Sequence, residues 1–115
     1  MKKKSIVRSN IEFNNIINNG LYKKNRYYVI YYILKDEEQP KFGIAVGTKV
    51  GKAVTRNKIK RQIRKIVDNN IKMFKNNRNY IIICKKEILD IKYSQMEQEL
   101  ISLIKKGDKY EKENI

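Results

Sequence analysis

Histidine and tryptophan are absent from this 115-residue chain, and cysteine and proline occur once each. Without histidine there is no imidazole general base, no Ser-His-Asp triad and no histidine metal ligand. A lone cysteine, Cys84, excludes an internal disulfide framework and any thiolate zinc cluster. Within Tyr80-Ile81-Ile82-Ile83-Cys84 it reads as a small buried hydrophobe rather than a reactive thiol. No apolar run approaches the ~18–20 residues needed to span a bilayer. Met1-Lys2-Lys3-Lys4 has no apolar segment behind it, unlike a secretory signal. The expectation is a soluble, cytoplasmic protein.

Acid is the other scarcity. Twelve Asp plus Glu stand against 27 Lys plus Arg, a formal net charge of +15, which points to a polyanionic partner: nucleic acid or an anionic membrane surface. Lys, Asn, Ile and Tyr together supply 61 of the 115 residues. Their codons are AT-rich, so genome composition would account for part of the lysine surplus. Only six residues are arginine, and where they cluster is the more informative signal. The length and the 41% hydrophobic content fit a single domain with one modest core.

Ser9-Asn10-Ile11-Glu12 matches a capping box and precedes Phe13, Ile16 and Ile17 on one apolar stripe, which predicts a helix over about 10–19, stopped by Gly20. Tyr27 to Leu34 predicts a strand covered on both faces, with Val29 and Tyr31 sharing one of them. A polar turn follows, whose acids Asp36, Glu37 and Glu38 read as solubilising rather than metal-binding. Phe42 to Val46 then returns, expected as the antiparallel hairpin partner. After a loop from Gly47 to Lys52, an amphipathic helix is expected over about 54–74, then a strand at Tyr80–Cys84. A last helix is expected to open on a second capping box, Ser94-Gln95-Met96-Glu97. Beyond Gly107 the charged tail is expected to fray. No repeat, linker or second domain is visible. Residues 1–115 read as one α+β domain, with an ordered core of about 5–107 between a basic N-terminal and a charged C-terminal tail.

Lys49 to Lys65 contains eight basic residues and no acid: Lys49, Lys52, Arg56, Lys58, Lys60, Arg61, Arg64 and Lys65. At ~100° per residue, Ile59, Ile63, Ile66 and Val67 fall on one helical face, and Asn57, Lys58, Lys60, Arg61, Arg64 and Lys65 on the other. Arg56 lies at the edge and can point either way. Arginine forks and lysine point charges suit phosphates, and Asn57 suits sugar or base edges. A solvated surface helix and a membrane-surface helix are the alternatives. Gly47-Thr48-Lys49-Val50-Gly51-Lys52-Ala53 fails as a nucleotide-binding loop, because its glycine spacing is one residue short and Ala53 replaces the magnesium-binding hydroxyl. Phe13 and Tyr31 serve either a base-stacking cleft or the core where helix meets sheet. No pair of carboxylates is identifiable as catalytic acid and base, and no metal-ligating group stands out.

Gly51-Lys52-Ala53-Val54-Thr55-Arg56-Asn57-Lys58-Ile59-Lys60-Arg61, followed by Arg64, closely resembles the signature of the bacterial ribonuclease P protein subunit. The resemblance extends from the Glu12-Phe13 helix through Asn25-Arg26 and the tyrosine-rich strand to Tyr80–Ile83 and the last helix. It implies an α-β-β-β-α-β-α fold with a central sheet packed by helices. A short first strand would lie near Leu21–Lys24, and the β-α-β crossover would be left-handed. It further implies an RNA-binding subunit of an endoribonuclease that removes the 5′ leader of precursor tRNA. The RNA subunit would be the catalyst, using magnesium ions, with no cofactor or catalytic residue in the protein. The partners would be that RNA and precursor tRNA, not DNA or membrane. Arg56, Asn57, Lys58, Lys60, Arg61 and Arg64 would contact the catalytic RNA, while Phe13, Val29 and Tyr31 would line a cleft for the leader. Three departures stand out. Lys58 replaces the second arginine of the Arg-Asn-Arg motif, Ile17 stands where the cleft often has a second Phe, and Gly47-Thr48 replaces a common Ser-Lys. The rival readings are a non-catalytic RNA-binding module such as a ribosomal protein, and a protein-only nuclease, which the missing acid–base groups disfavour.

Overall fold

A computed structural model describes residues 5–36 and 39–106. The basic start at Met1–Lys4, the acids Glu37 and Glu38, and the tail from Gly107 lie outside the described residues. Seven elements follow one another: α1 (Asn10–Asn19), β1 (Leu21–Lys24), β2 (Tyr28–Leu34), β3 (Lys41–Val46), α2 (Ala53–Asn69), β4 (Arg78–Cys84) and α3 (Tyr93–Lys105). Short 3-10 turns at Thr48–Val50, Ile71–Met73 and Lys86–Asp90 link them.

The strands form one sheet in the order β1-β2-β4-β3. The expected hairpin between β2 and β3 is therefore a misreading. β2 pairs antiparallel with β4, from Tyr28 opposite Cys84 to Leu34 opposite Arg78. β3 pairs parallel with β4, reached through α2. The cause is β4 itself: Ile81 and Ile82 are fully buried, a continuous apolar run that needs partners along both edges. Ile6 bridges Phe42 in parallel at the outer side of β3.

Register sorts the side chains between two faces. Tyr28, Ile30, Tyr32, Phe42, Val46, Tyr80, Ile82 and Cys84 meet Ile59, Ile63, Ile66 and Val67 of α2 and Met96, Leu100 and Leu103 of α3 in the main core. The Phe42 and Tyr80 rings stack there at 5.5 Å, and Phe74 meets both edge-on. On the opposite face, α1 sets Phe13, Ile16 and Ile17 against Tyr31, Ile33, Ile81 and Ile83.

Two helix boundaries differ from expectation. α2 ends at Asn69 rather than near 74, because Asn70 turns out of the helix and its amide donates to the Ile66 carbonyl and Glu97 Oε2, both at 2.8 Å. That exit swings Phe74 into the aromatic core. α3 begins at Tyr93, so Ser94 lies within the first turn instead of capping it. Gln95 Oε1 accepts from the Lys92 amide at 3.3 Å, doing the job expected of Glu97. At α1, Ser9 Oγ does accept from the Ile11 and Glu12 amides. Glu12, however, accepts from Asn79 Nδ2 at 3.1 Å, which ties α1 to β4.

Candidate nucleic-acid interface

α2 starts immediately after β3 and the 3-10 turn at Thr48–Val50, so the sheet fixes where its N-terminus points. Ile59, Ile63, Ile66 and Val67 are buried, which turns Asn57, Lys58, Arg61, Arg64 and Lys65 outward. Lys60 is half-buried. Lys49 and Lys52 are exposed beside the helix start. No side chain caps that start, so first-turn amides and the positive end of the helix dipole are available to an anion. The face presents one sign of charge throughout, since no acid occurs between Lys49 and Val67.

Arg56 departs from this pattern. Its side chain is half-buried, and Nε donates to the Gly51 carbonyl at 3.1 Å. Of the two directions left open for it, the one observed folds it back on the turn before α2. One edge of its guanidinium holds that turn, leaving the other for a ligand.

The second group lies across the sheet. Phe13 and Ile17 of α1 and Val29 and Tyr31 of β2 are all half-buried on the α1 face, neither sealed in a core nor free in solvent. Tyr31 carries a neighbour absent from the sequence reading. Tyr22 lies opposite it in the ladder, its ring 5.9 Å away and tilted by 45°, with 42% of its surface exposed. Tyr22 went unnoticed because β1 has only four residues, two of them lysines. Lys23 is buried beside the Tyr32 ring, which defeats a search by polarity. Gly43 of β3 completes the floor of this side. A Cβ there would lie 2.6 Å from Ile81 Cδ1 and 3.1 Å from the Phe13 ring, so the glycine gives Phe13 room to lie close over the strand.

The α1-face aromatics and the cationic helix are thus carried on opposite sides of one sheet, connected through β3. Among the described residues, no helix is long and apolar enough to cross a membrane.

Comparison with known proteins agrees with this architecture. The ribonuclease P family profile matches residues 1–108. The ribonuclease P protein component of Mycoplasma capricolum is 44% identical over 106 residues, covering 91% of this chain and 97% of that protein. The Bacillus cereus protein component is 35% identical over 109 residues, covering 93% and 94%. Among solved structures, the Staphylococcus aureus RNase P protein superimposes with a TM-score of 0.81 at 28% identity, over 88% of this chain and 93% of that one. The Thermotoga maritima RNase P protein gives 0.80 at 27% identity, over 89% and 98%. With a family match over almost its whole length and relatives alike in sequence and fold, the chain belongs to the ribonuclease P protein family.

Proposed function

We propose that this chain is the RNA-binding subunit of ribonuclease P, assisting a catalytic RNA in endonucleolytic removal of the 5′ leader from precursor tRNA in the cytoplasm. The observation that carries the reading is the outward face of α2, where Asn57, Lys58, Arg61, Arg64 and Lys65 line up opposite a buried isoleucine stripe. Such a face tracks a phosphate backbone. Arg61 and Arg64 offer forks to paired oxygens, while Lys58 and Lys65 act as point charges. Lys49, Lys52 and the uncapped start of α2 extend the surface toward a further phosphate. Arg56 holds the preceding turn in the geometry that aims them.

The catalytic RNA carries the chemistry, with magnesium ions bound by RNA, and the protein acts by electrostatics and positioning. Its charge offsets repulsion between two RNAs, which favours both substrate docking and magnesium occupancy. The half-buried Phe13, Ile17, Val29 and Tyr31, with Tyr22 beside them, form the surface for the single-stranded leader. Aromatic faces there stack unpaired bases with little regard to sequence. Ile17 supplies apolar contact without a ring, so stacking concentrates on Phe13, Tyr22 and Tyr31.

The test mixes purified protein, a cognate catalytic RNA and precursor tRNA at low magnesium. Stimulated 5′ maturation is the expected result. Cleavage by the protein alone would replace this reading with that of a protein-only nuclease, and no stimulation would favour a non-catalytic RNA-binding module.

A further inference from the structure

Between α2 and the segment that runs from the 3-10 turn at Lys86–Asp90 into α3 lies an open groove of about 360 Å³. Ile59, Ile88 and Met96 form its apolar floor, and Lys58, Gln62 and Tyr93 stand at its side. A second hollow of about 320 Å³ adjoins it, and Lys58, Gln62 and Tyr93 line both. Arg61 and Lys65 complete the second hollow, and among the described residues no acidic side chain lines either one. The Tyr93 hydroxyl is withdrawn from solvent yet has no hydrogen-bond partner.

These features select among occupants. An apolar helix or a lipid chain would cover the floor but leave the rim cations facing hydrocarbon, at a heavy desolvation cost. An acidic peptide would satisfy the rim and leave the ring and floor bare. A nucleotide meets every part at once: a flat π-surface, a polar edge and a phosphate.

We propose that the groove receives one unstacked, unpaired base of the RNA that lies along α2. The base rests against the Tyr93 ring, and its polar edge lies within reach of the Gln62 amide. Lys58, Arg61 and Lys65 hold the flanking phosphates. The inference rests on reading α2 as the RNA-binding surface. It adds to phosphate contact, which is blind to sequence, a place where a single base is read.

Base-specific chemical probing of the assembled holoenzyme, alongside hydroxyl-radical footprinting of its RNA backbone, tests this. Wild-type protein is expected to shield one unpaired base. Tyr93→Leu and Gln62→Ala re-expose that base while the backbone footprint persists, and Tyr93→Phe keeps it shielded. Tyr93→Leu is also expected to weaken RNA binding by about 5- to 150-fold, the range that follows from losing one base–aromatic stack. Identical base reactivity with all four proteins, each shown folded by circular dichroism, overturns the proposal; a groove filled by a protein segment would give that result. If Tyr93→Leu does not fold, unchanged reactivity with Gln62→Ala is sufficient to overturn it. Absence of any backbone footprint with wild-type protein would instead remove the RNA-binding reading of α2 itself, and this inference with it.

Discussion

Arg56 and Arg61 are five residues apart on α2, yet their surroundings assign them different work. Arg61 is exposed, so its fork is free for phosphate. Arg61→Ala is expected to weaken binding to the catalytic RNA and to reduce the slope of log affinity against log salt by about 0.7–0.9. A salt titration checks this, and an unchanged slope would mean that Arg61 touches no phosphate. Arg56→Ala is expected to show a second effect, a lower melting temperature, because the Gly51 carbonyl loses its donor. Tyr31 is half-buried beside Tyr22. Tyr31→Ala should therefore reduce discrimination between substrates with and without a leader. Equal losses on both substrates would assign the ring to packing alone. Cys84 and Tyr28 have no such surface role. Burial pushes the Cys84 thiol up to about 12, from an ordinary value near 9.0. Burial first, then the neighbouring Cys84 and Glu99, raises the Tyr28 phenol too. Both groups ionise more easily in the unfolded chain. Stability is thus full below pH ~9 and falls as pH climbs toward ~12, by at most about 1.4 kcal/mol per unit for each group. Urea midpoints should be lower at pH 10.5 than at pH 8. Cys84→Val should flatten part of that fall, and an undiminished fall would clear Cys84 of any part in it.

At the scale of elements, α1 and its attachment to the sheet decide where the aromatic surface lies. Gly20, which ends α1, has an ordinary extended backbone, but a Cβ on it would lie 2.3 Å from the Ile16 carbonyl oxygen and 2.6 Å from that of Tyr32. Those atoms are backbone and cannot swing aside. Gly43→Ala meets side-chain atoms instead, Ile81 Cδ1 and the Phe13 ring. The expected cost is about 1–3 kcal/mol of stability, with Phe13 displaced from the sheet. Thermal melts and assays on leader-bearing substrate measure the two effects; intact stability and leader discrimination would show that Phe13 is not held by that contact. α1 was legible because Ser9 caps it and Gly20 stops it, and each signal is local. The end of α2 was not, since the apolar period continues to Phe74, and the helix stops where Asn70 bonds back to Ile66 and across to Glu97, the second a tertiary contact. β1 was invisible to pattern, as its one buried side chain is Lys23. Asn25 entered the sequence reading only as part of the family resemblance. Its Oδ1 accepts from the Tyr27 and Tyr28 amides at 2.9 Å, and its Nδ2 donates to the Glu99 carbonyl at 3.1 Å, fastening the β1–β2 turn to α3.

Across the whole molecule, the cationic face was the most legible part of the candidate site. Acid-free spacing and the placement of three arginines are properties of the sequence that folding only turns outward. The groove beside Tyr93 was not legible, because its walls come from residues 55–65 and 88–96, which meet only in three dimensions. The order of the strands escaped for the same reason, since a register between distant segments leaves no periodic mark. The net charge of +15 acts at this scale as well. Association with RNA should slow steeply as ionic strength rises from about 0.05 to 0.2 M, as stopped-flow mixing would show, because steering decays within the Debye length. A rate indifferent to salt would confine the charge to contacts made after docking. The central position of β4 also has a consequence for the order of synthesis. β1 and β2 can pair as soon as both have left the ribosome, but β3, apart from the single Ile6 bridge, has no strand to pair with until β4 follows, after all of α2 has been made. The cationic helix therefore emerges before the strand that anchors its scaffold. The nascent chain carries an unpaired edge and a half-covered isoleucine stripe until β4 is made, when this single seven-residue segment closes both halves of the sheet at once.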